Sequence, residues 1–158
     1  MYKVLFVCTG NICRSPTAHG VFEHLVKEEG LSSKIYVDSA GTGSWHEGAL
    51  PDPRAMETAL KNGIDISSQR ARQVRESDMT DFDLIIALDR SHYQALKPFC
   101  KDLKKLRLMM EFAPEYKTED VPDPYYGGKE GFQNVFDMVH SSCRGLLSHI
   151  KQEALECR

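Results

Sequence analysis

A cysteine and an arginine lie six residues apart near the start of the chain, at Cys8 and Arg14, in the segment Cys-Thr-Gly-Asn-Ile-Cys-Arg-Ser. An arginine guanidinium presents a planar fork that matches two oxygens of a phosphoryl group. A cysteine held beside such positive charge is expected to be a thiolate at neutral pH, and a thiolate is a nucleophile. The pair therefore predicts an anion-binding loop in which Cys8 attacks phosphorus and Arg14 binds the phosphoryl oxygens.

The elements on either side of this segment strengthen that prediction. The run 3–8 is apolar and typical of a buried strand, and Ser15-Pro16 is typical of a helix start with Ser15 as the N-cap. A loop between a strand and a helix N-terminus can direct several backbone N–H groups at an anion. The segment lacks the lysine of nucleoside-triphosphate loops and the glycine pattern of dinucleotide folds, which disfavours both kinds of nucleotide site.

Phosphoryl transfer through a cysteine also needs a proton donor for the leaving alcohol and then a base for water. Asp123 is the candidate, because it lies directly before a proline in the polar loop 113–128, close to two further carboxylates. Tyr125 and Tyr126 follow it and are candidates for an apolar wall against a substrate ring. The loop 113–128 therefore predicts the second half of a phosphatase site.

Strands and helices alternate along the chain. Strands are predicted over 3–8, 34–39, 83–89 and 105–112. Helices are predicted to begin at Pro16 and at Pro53, capped by Ser15 and Asp52, to run through Tyr93 and Leu96, and to close the chain over 132–150. This alternation predicts parallel strands joined by right-handed crossovers, hence one domain over 1–158 with a three-layer α/β/α fold. Ligands of such folds bind beyond the carboxyl ends of the strands, where Cys8 lies.

Composition excludes several classes of protein. Twenty Lys and Arg against 23 Asp and Glu give a net charge of −3, which predicts no general attraction to nucleic acid or to acidic membranes. No apolar run approaches the ~20 residues of a membrane-spanning helix, and the start lacks a signal-peptide pattern, so we expect a cytoplasmic protein. Five cysteines at these spacings predict neither a disulfide scaffold nor a zinc site, and we expect no metal and no cofactor.

Four motifs of the chain resemble those of the low-molecular-weight protein tyrosine phosphatases. They are Val-Cys-x-Gly-Asn-Ile-Cys-Arg-Ser-Pro over 7–16, Asp-Ser-Ala-Gly-Thr over 38–42, Pro-Asp-Pro-Arg-Ala over 51–55 and Asp-Pro-Tyr-Tyr-Gly over 123–127. They span essentially the whole chain, in the order and at the spacing of that family. The resemblance implies a four-stranded parallel sheet in the order 2-1-3-4 with helices on both faces.

The same resemblance implies roles for individual residues in the hydrolysis of protein phosphotyrosine. Cys8 is the nucleophile, Arg14 binds the phosphoryl group and stabilises its transition state, and Asp123 is the general acid and then the base. Substrate-binding roles fall on Thr9, Gly10, Asn11, Ile12, Cys13, Ser15, Trp45, Tyr125 and Tyr126. The implied partners are phosphotyrosine-containing proteins, with inorganic phosphate as a product inhibitor, and the implied state is a monomer with weak self-association.

Supporting roles are implied for the residues around the nucleophile. Asn11 and Ser39 hold the loop in its strained shape, Ser15 stabilises the thiolate as it leaves, and Cys13 is the redox partner of Cys8. The chain departs from the family pattern at Thr9, where many members have leucine. It also departs at Gln69, where members often have a histidine that braces the loop serine and asparagine. We therefore expect the support of Asn11 through Ser39 to differ in this chain.

Three alternatives compete with this interpretation. Arsenate reductases of the same fold share the loop sequence but need two further cysteines in the middle of the chain, where Cys100 stands alone. Protein-arginine phosphatases carry threonine at the position of Ile12 and phenylalanine at the position of Tyr125. A phosphate-binding module without activity would not need the full set of chemical groups that this chain has. Phosphotyrosine hydrolysis is therefore favoured, with thiol-dependent arsenate reduction as the alternative function.

Overall fold

The computed structural model describes residues 1–125 and 128–155. Four strands form one sheet: β1 (Tyr2–Cys8), β2 (Ile35–Gly41), β3 (Leu84–Ala87) and β4 (Leu106–Leu108). Five helices accompany it: α1 (Arg14–Glu28), α2 (Pro53–Lys61), α3 (Asp78–Asp81), α4 (Arg90–Leu96) and α5 (Lys129–Ile150). Short 3-10 turns at 97–99, 103–105, 109–112 and 114–116 join the later elements, and a π turn over 151–155 extends α5.

The sheet has the order β2-β1-β3-β4 with every pair parallel, which confirms the predicted topology. Cys8 pairs in register with Gly41 of β2, and Val7 pairs with Ala87 of β3. The carboxyl ends of β2, β1 and β3 therefore meet at one end of the sheet, and this end carries Cys8. The geometry matches the rule that open parallel sheets bind ligands beyond the ends of their strands.

Alternate residues of β1 enter two apolar cores, one on each face of the sheet. Val4 and Phe6 pack with α1, α2 and α5, whereas Leu5 and Val7 pack toward α3 and α4. The ring of Phe6 meets that of Phe22 edge-on, with centroids 5.6 Å apart. Burying one such side chain contributes ~2–3 kcal/mol, so β1 is anchored firmly from both sides. The predicted three layers are confirmed.

The start of α1 differs from the prediction. The helix begins at Arg14, with Cys13 in the N-cap position, so Ser15 lies inside the first turn and is not the cap. Its side chain is fully buried and contacts Cys8 instead of the helix N–H groups. At α2 the predicted cap is confirmed, because Asp52 accepts a hydrogen bond from the Arg54 N–H at 2.8 Å.

Strand lengths differ from the prediction at both edges of the sheet. β4 ends at Leu108 instead of continuing to 112, because the chain turns into a 3-10 helix at Met109. β2 runs two residues beyond its predicted end at Ser39, to Gly41. α3 was not predicted at all.

Within the described ranges, no helix combines the length and apolar character needed to cross a membrane.

Candidate active site

The loop from Cys8 to Arg14 forms the floor of a cavity of about 410 Å³. The lining comprises Cys8, Thr9, Gly10, Ile12, Cys13, Arg14, Trp45, His46, Asp123 and Tyr125. All three predicted catalytic residues and most predicted substrate-binding residues therefore meet in one place. Trp45 stands at the rim with 73% of its surface exposed. Tyr126, predicted to share the wall, lies outside the described residues.

The backbone of this loop turns its carbonyl groups outward. The carbonyl oxygens of Cys8, Thr9 and Ile12 accept hydrogen bonds of 2.8, 3.0 and 2.8 Å from backbone N–H groups outside the loop. Among the residues that the structure describes, none accepts a hydrogen bond from the N–H groups of residues 9–13. Those N–H groups lie beside the positive end of α1, so the loop can surround an anion with donors.

Two backbone features account for the tight curvature of the loop from Cys8 to Arg14. Asn11 adopts the left-handed conformation, with φ at 57°. Gly41 approaches the loop so closely that an added Cβ would lie 2.7 Å from the Thr9 carbonyl oxygen and 3.0 Å from the Asn11 nitrogen. Only glycine fits at the end of β2, because any side chain would displace the loop.

A set of four side chains behind the loop, which we call the inner network, consists of Asn11, Ser15, Ser39 and His19. The Asn11 amide donates to Ser15 Oγ at 2.8 Å and to Ser39 Oγ at 3.1 Å. Its oxygen accepts from the Arg72 backbone N–H at 3.0 Å. The two N–H donors and the oxygen acceptor of the buried Asn11 amide therefore all have hydrogen-bond partners, which fixes the left-handed turn.

Ser15 connects the inner network to the cysteine. Its Oγ lies 2.9 Å from Cys8 Sγ and 3.4 Å from the carbonyl oxygen of Ala40. Because Asn11 already donates to this oxygen, the Ser15 hydroxyl keeps its own proton to donate. The sulfur is the nearer of the two acceptors, so Ser15 is placed to donate a hydrogen bond to a thiolate.

His19 completes the inner network in a way that the sequence analysis missed. Its Nδ1 lies 3.1 Å from Ser39 Oγ, and its Nε2 lies 3.5 Å from the Glu23 carboxylate. Gln69 donates instead to the Pro16 carbonyl oxygen at 3.0 Å, and its buried Oε1 has no partner among the described residues. Ser39 is therefore braced from α1, whereas Gln69 contacts the backbone of the same helix.

Arg14 is held from the opposite side of the loop. Its Nη1 donates to Asp89 Oδ2 at 2.8 Å and to the Val121 carbonyl oxygen at 3.0 Å. Burial opposes ionisation of Asp89, but hydrogen bonds from Ser91 and Arg14 and the nearby imidazole hold the pKa of that carboxyl below its ordinary value. Asp89 is thus a fixed carboxylate that anchors the guanidinium, while Nη2 faces the cavity. In the sequence, Asp89 could have been identified as a site residue because it follows the run that forms β3.

Thr9 and His92 lie beside the free end of that guanidinium. Thr9 Oγ1 is 2.8 Å from His92 Nε2 and 3.4 Å from Arg14 Nη2. The imidazole is almost completely buried, and burial lowers the pKa of His92 to about 4, with Arg14 adding to the shift. Arg14, Asp89, Thr9 and His92 form what we call the outer network. His92 was not among the residues predicted for the site.

Asp123 reaches the cavity from the loop before α5. A backbone hydrogen bond of 2.9 Å from Val121 to the Leu88 carbonyl ties this loop to the sheet edge. Asp123 Oδ1 accepts from the Tyr125 N–H at 3.0 Å, and Oδ2 lies 3.7 Å from Arg14 Nη2. With 43% of its side chain exposed, the carboxyl can meet both a bound ester and water.

The two neighbouring carboxylates are turned away from the cavity. Asp120 binds Arg90 with a shortest contact of 2.9 Å, and Glu119 lies 3.5 Å from the same guanidinium. The hydrogen bond from Arg90 lowers the pKa of Asp120. Asp120 is thereby committed as a surface carboxylate, which leaves Asp123 as the carboxyl in this loop that lines the cavity.

The described cysteines fall into two groups. Cys8 and Cys13 both line the cavity and are not joined in a disulfide. Burial, with Asp52 adding to it, raises the pKa of Cys13, so this thiol keeps its proton. Cys100 and Cys143 lie in the two apolar cores, on opposite faces of the sheet.

Comparison with known proteins gives a consistent result. A family model described as low molecular weight phosphotyrosine protein phosphatase matches residues 3–156. A Streptomyces coelicolor protein named low molecular weight protein-tyrosine-phosphatase is 43% identical over 157 residues, covering 96% of this chain and 95% of that protein. A crystal structure of a protein tyrosine phosphatase from Entamoeba histolytica superposes with a TM-score of 0.92 at 38% identity, covering 96% and 98% of the two chains.

A more distant structure shows that the same fold also occurs in an arginine phosphatase. A Drosophila arginine phosphatase superposes with a TM-score of 0.87 at 33% identity, covering 96% of this chain and 99% of that one. The shared fold therefore does not by itself specify the phosphorylated residue. The matches nevertheless agree with the motifs and with the sheet order over nearly the whole length. This chain belongs to the low molecular weight phosphotyrosine protein phosphatase family and is a phosphatase.

Proposed function

We propose that the enzyme hydrolyses phosphotyrosine in proteins through a covalent phosphocysteine on Cys8. The observation that carries the proposal is the meeting of Cys8, Arg14 and the Asp123 carboxyl in one cavity whose floor presents backbone N–H donors. A phosphoryl group on that floor would have the sulfur beneath it and the carboxyl beside its ester oxygen. This arrangement suits in-line displacement at phosphorus, which depends on positioning and charge stabilisation.

The first step forms the phosphocysteine. The Cys8 thiolate attacks phosphorus, the bond between phosphorus and the tyrosyl oxygen breaks, and Asp123 gives its proton to that oxygen. Arg14 Nη2 and the loop N–H groups stabilise the charge on the phosphoryl oxygens in the transition state. The anchoring of Nη1 by Asp89 supports this role, because it fixes the plane of the guanidinium before the substrate arrives.

The second step releases inorganic phosphate. Asp123, now a carboxylate, takes a proton from water while the water oxygen attacks phosphorus and the phosphorus–sulfur bond breaks. Cys8 leaves as a thiolate, which the Ser15 hydroxyl stabilises from 2.9 Å. Inorganic phosphate occupies the same donors as the substrate, so it acts as a competitive product inhibitor.

Recognition of an aromatic substrate follows from the walls of the cavity. Ile12, Trp45 and Tyr125 supply apolar and aromatic surface above the loop, and Tyr126 is proposed to extend that wall. A tyrosyl ring packs favourably against such surface. A phosphorylated arginine would instead place a polar guanidino group against the side chain of Ile12, so phosphotyrosine is favoured over phosphoarginine.

Thiol-dependent arsenate reduction is the weaker alternative. That reaction must pass a disulfide from the nucleophile to further cysteines. Cys100 lies in the apolar core that packs against α3 and α4, and it does not line the cavity. Cys13 lines it and can pair with Cys8, but within the described residues no third cysteine reaches this cavity. The acid loop carrying Asp123 would also have no task in that reaction.

We propose that Cys13 protects the nucleophile from over-oxidation. Peroxide would convert the Cys8 thiolate to a sulfenic acid, and the Cys13 thiol would then form the disulfide with loss of one water molecule. A thiol reductant reverses the reaction. After brief peroxide exposure and dithiothreitol, wild type should recover more activity than Cys13→Ala, and mass spectrometry should detect the Cys8–Cys13 disulfide. Equal recovery in the two proteins would contradict the proposal.

Several properties of the whole protein complete the proposal. We propose that residues 1–158 form one phosphatase domain that acts in the cytoplasm as a monomer with weak self-association. No cofactor or metal enters the proposed steps, because Cys8, Arg14 and Asp123 supply the nucleophile, the positive charge and the proton. Sedimentation across a range of protein concentrations tests the oligomeric state.

The deciding experiment separates hydrolysis from reduction. The purified enzyme is assayed with a phosphotyrosyl peptide, a phosphoarginyl peptide, and arsenate plus a thiol reductant. We expect phosphate release from the phosphotyrosyl peptide without any need for thiol turnover. Thiol-dependent formation of arsenite without phosphatase activity would favour the alternative. Cys8→Ser should abolish turnover yet still bind inorganic phosphate, because Arg14 and the loop N–H groups remain.

A further inference from the structure

The hydrogen bonds around His92 determine where its proton lies. The backbone N–H of Asp89 donates to Nδ1 at 3.2 Å. Asp89 Oδ1 also lies 3.1 Å from Nδ1, but this oxygen already accepts from the Ser91 hydroxyl and the His92 backbone N–H, so we assign Nδ1 as an acceptor. The ring is buried beside the Arg14 guanidinium and is neutral at pH 7. A neutral imidazole carries one proton, which must therefore lie on Nε2, where it donates to Thr9 Oγ1 at 2.8 Å.

The Thr9 hydroxyl is then left with one proton to donate. Its oxygen accepts from His92 Nε2 and, at 3.4 Å, from Arg14 Nη2, which uses both lone pairs. Apart from His92, no described residue offers an acceptor within hydrogen-bonding distance of this oxygen. Thr9 is exposed and lines the cavity next to the nucleophile, so the free O–H direction is into the cavity.

We propose that Thr9 donates a side-chain hydrogen bond to the bound phosphoryl group, and that His92 is the positioning residue that orients it. The inference rests on the proposed phosphatase function and adds one donor to the loop N–H groups and Arg14. A hydroxyl that was free to rotate would lose part of the benefit through conformational entropy. The imidazole removes that freedom, because it occupies the lone-pair side of the oxygen and forces the proton outward.

Phosphate binding to the Cys8→Ser protein tests the proposal without any turnover. In that background, Thr9→Val keeps the size of the side chain but removes the hydroxyl, and Thr9→Ser keeps the hydroxyl. We expect calorimetric titration with inorganic phosphate to show affinity on the order of 10-fold weaker for Thr9→Val, and most of the affinity retained for Thr9→Ser. Thr80→Val, on the exposed surface of α3, is the control and should bind phosphate normally.

The positioning role of His92 is tested by a double-mutant cycle with Thr9 and by the tautomer of its imidazole. His92→Met should weaken phosphate binding when Thr9 is present, and should add little further loss to Thr9→Val, because the two residues act through one hydroxyl. Nitrogen NMR of the wild-type imidazole should show the Nε2–H tautomer at pH 7. The NMR measurement uses the unmodified protein and stands even if His92→Met folds poorly.

The results that overturn the proposal are distinct from those that overturn the proposed function. Unchanged phosphate affinity in Thr9→Val, an equal loss in Thr9→Ser, additive losses for Thr9 and His92, or an Nδ1–H tautomer each contradict the proposal. Failure of the Cys8→Ser protein with an intact Thr9 to bind phosphate at all contradicts the proposed function instead.

Discussion

The inner and outer networks hold the same loop from opposite sides, and they differ in charge. Behind the loop, Asn11 contacts Ser15 and Ser39 through neutral hydrogen bonds in a fully buried setting. In front of it, Arg14 is bound to the Asp89 carboxylate and lies 3.7 Å from Asp123. Directly behind the loop the contacts therefore join uncharged amide and hydroxyl groups, whereas in front of it a guanidinium is bound to a carboxylate.

This difference separates two tasks, which are fixing the shape of the loop and placing positive charge at the phosphoryl group. A thiolate at Cys8 would be destabilised by any carboxylate buried beneath it, since charges interact strongly where water is excluded. The amide of Asn11 and the hydroxyls of Ser15 and Ser39 fix the loop without adding such a charge. The outer network places the positive charge of Arg14 where the phosphoryl group arrives, and Asp89 holds it there. Loss of the charge geometry at Arg14 should therefore cost more activity than changes in the inner network.

The largest effect is expected for Arg14→Lys. One ammonium group cannot contact Asp89 and the Val121 carbonyl while also reaching two phosphoryl oxygens, so the charge remains but its geometry is lost. We expect kcat to fall by roughly 10³–10⁵-fold, measured with an aryl phosphate. Arg90→Lys, on an exposed ion pair outside the cavity, is the matched control and should retain activity. Comparable losses in the two variants would contradict the account.

Asp123→Ala should come next, with an effect that depends on the leaving group. Phenyl or tyrosyl phosphate expels a basic phenolate, so single-turnover rates should fall by roughly 10²–10⁴-fold. An activated nitrophenyl ester should lose much less, because its leaving group needs no proton. Asp120→Ala is the control, since Arg90 already binds that carboxylate. An equal loss for every leaving group, or a larger loss in Asp120→Ala, would remove the acid role from Asp123.

The burial of His92 predicts a pH dependence of stability. Its pKa is lowered from 6.5 to about 4 by burial, and Arg14 opposes protonation while Asp89, Asp120 and Asp123 favour it. Because the unfolded chain binds this proton more readily, stability is lost as pH falls below 6.5. Urea unfolding at pH 7 and 4.5 should show wild type losing roughly 2–3 kcal/mol more than His92→Gln. Parallel losses in the two proteins would contradict the assignment.

Within the inner network, Ser15→Ala should slow the release of the thiolate. The hydrogen bond to Cys8 is lost, so phosphocysteine should accumulate and steady-state turnover should fall by roughly 10-fold or more. Ser142→Ala is the control, because Ser142 is equally buried but lies in α5. A burst of leaving group ahead of slow turnover is the expected signature. Slower formation of the phosphocysteine without accumulation would place Ser15 elsewhere in the mechanism.

The smallest effect is expected for His19→Ala. Ser39 would lose its brace but keep its contact with Asn11, so activity should fall only several-fold, about the effect of one neutral hydrogen bond. His24→Ala is a close match, since His24 also pairs with a glutamate four residues later but is more exposed. If His24→Ala lost as much activity as His19→Ala, the bracing role of His19 would be wrong.

A feature of the site could be predicted from the sequence when its residues lie close together along the chain. The Cys8 loop is a continuous segment between a strand and a helix, so its residue types and its place were readable together. Asp89 and His92 meet Arg14 only because β1 and β3 pair across about 80 residues of chain. His19 and His24 each precede a glutamate by four residues, so the pattern alone does not distinguish the partly buried histidine from the exposed one.

The errors have equally specific causes. Ser15 resembles an N-cap because serine before proline commonly begins a helix, yet here its hydroxyl is engaged by Asn11 and Cys8 and the helix starts at Arg14, two residues before Pro16. The apolar run after β4 resembled strand because Met109 and Met110 are buried, but they are buried from a 3-10 turn. In the run after β4, hydrophobicity predicted burial correctly but did not predict the backbone conformation.

The most direct test of the account is detection of the covalent intermediate. The enzyme is mixed with an aryl phosphate, quenched in acid within milliseconds, digested and analysed by mass spectrometry. The account predicts one phosphoryl group on the peptide containing Cys8, enriched in Ser15→Ala and absent from Cys8→Ser. A phosphoryl group on any other residue, or full turnover by Cys8→Ser, would contradict a mechanism built on Cys8.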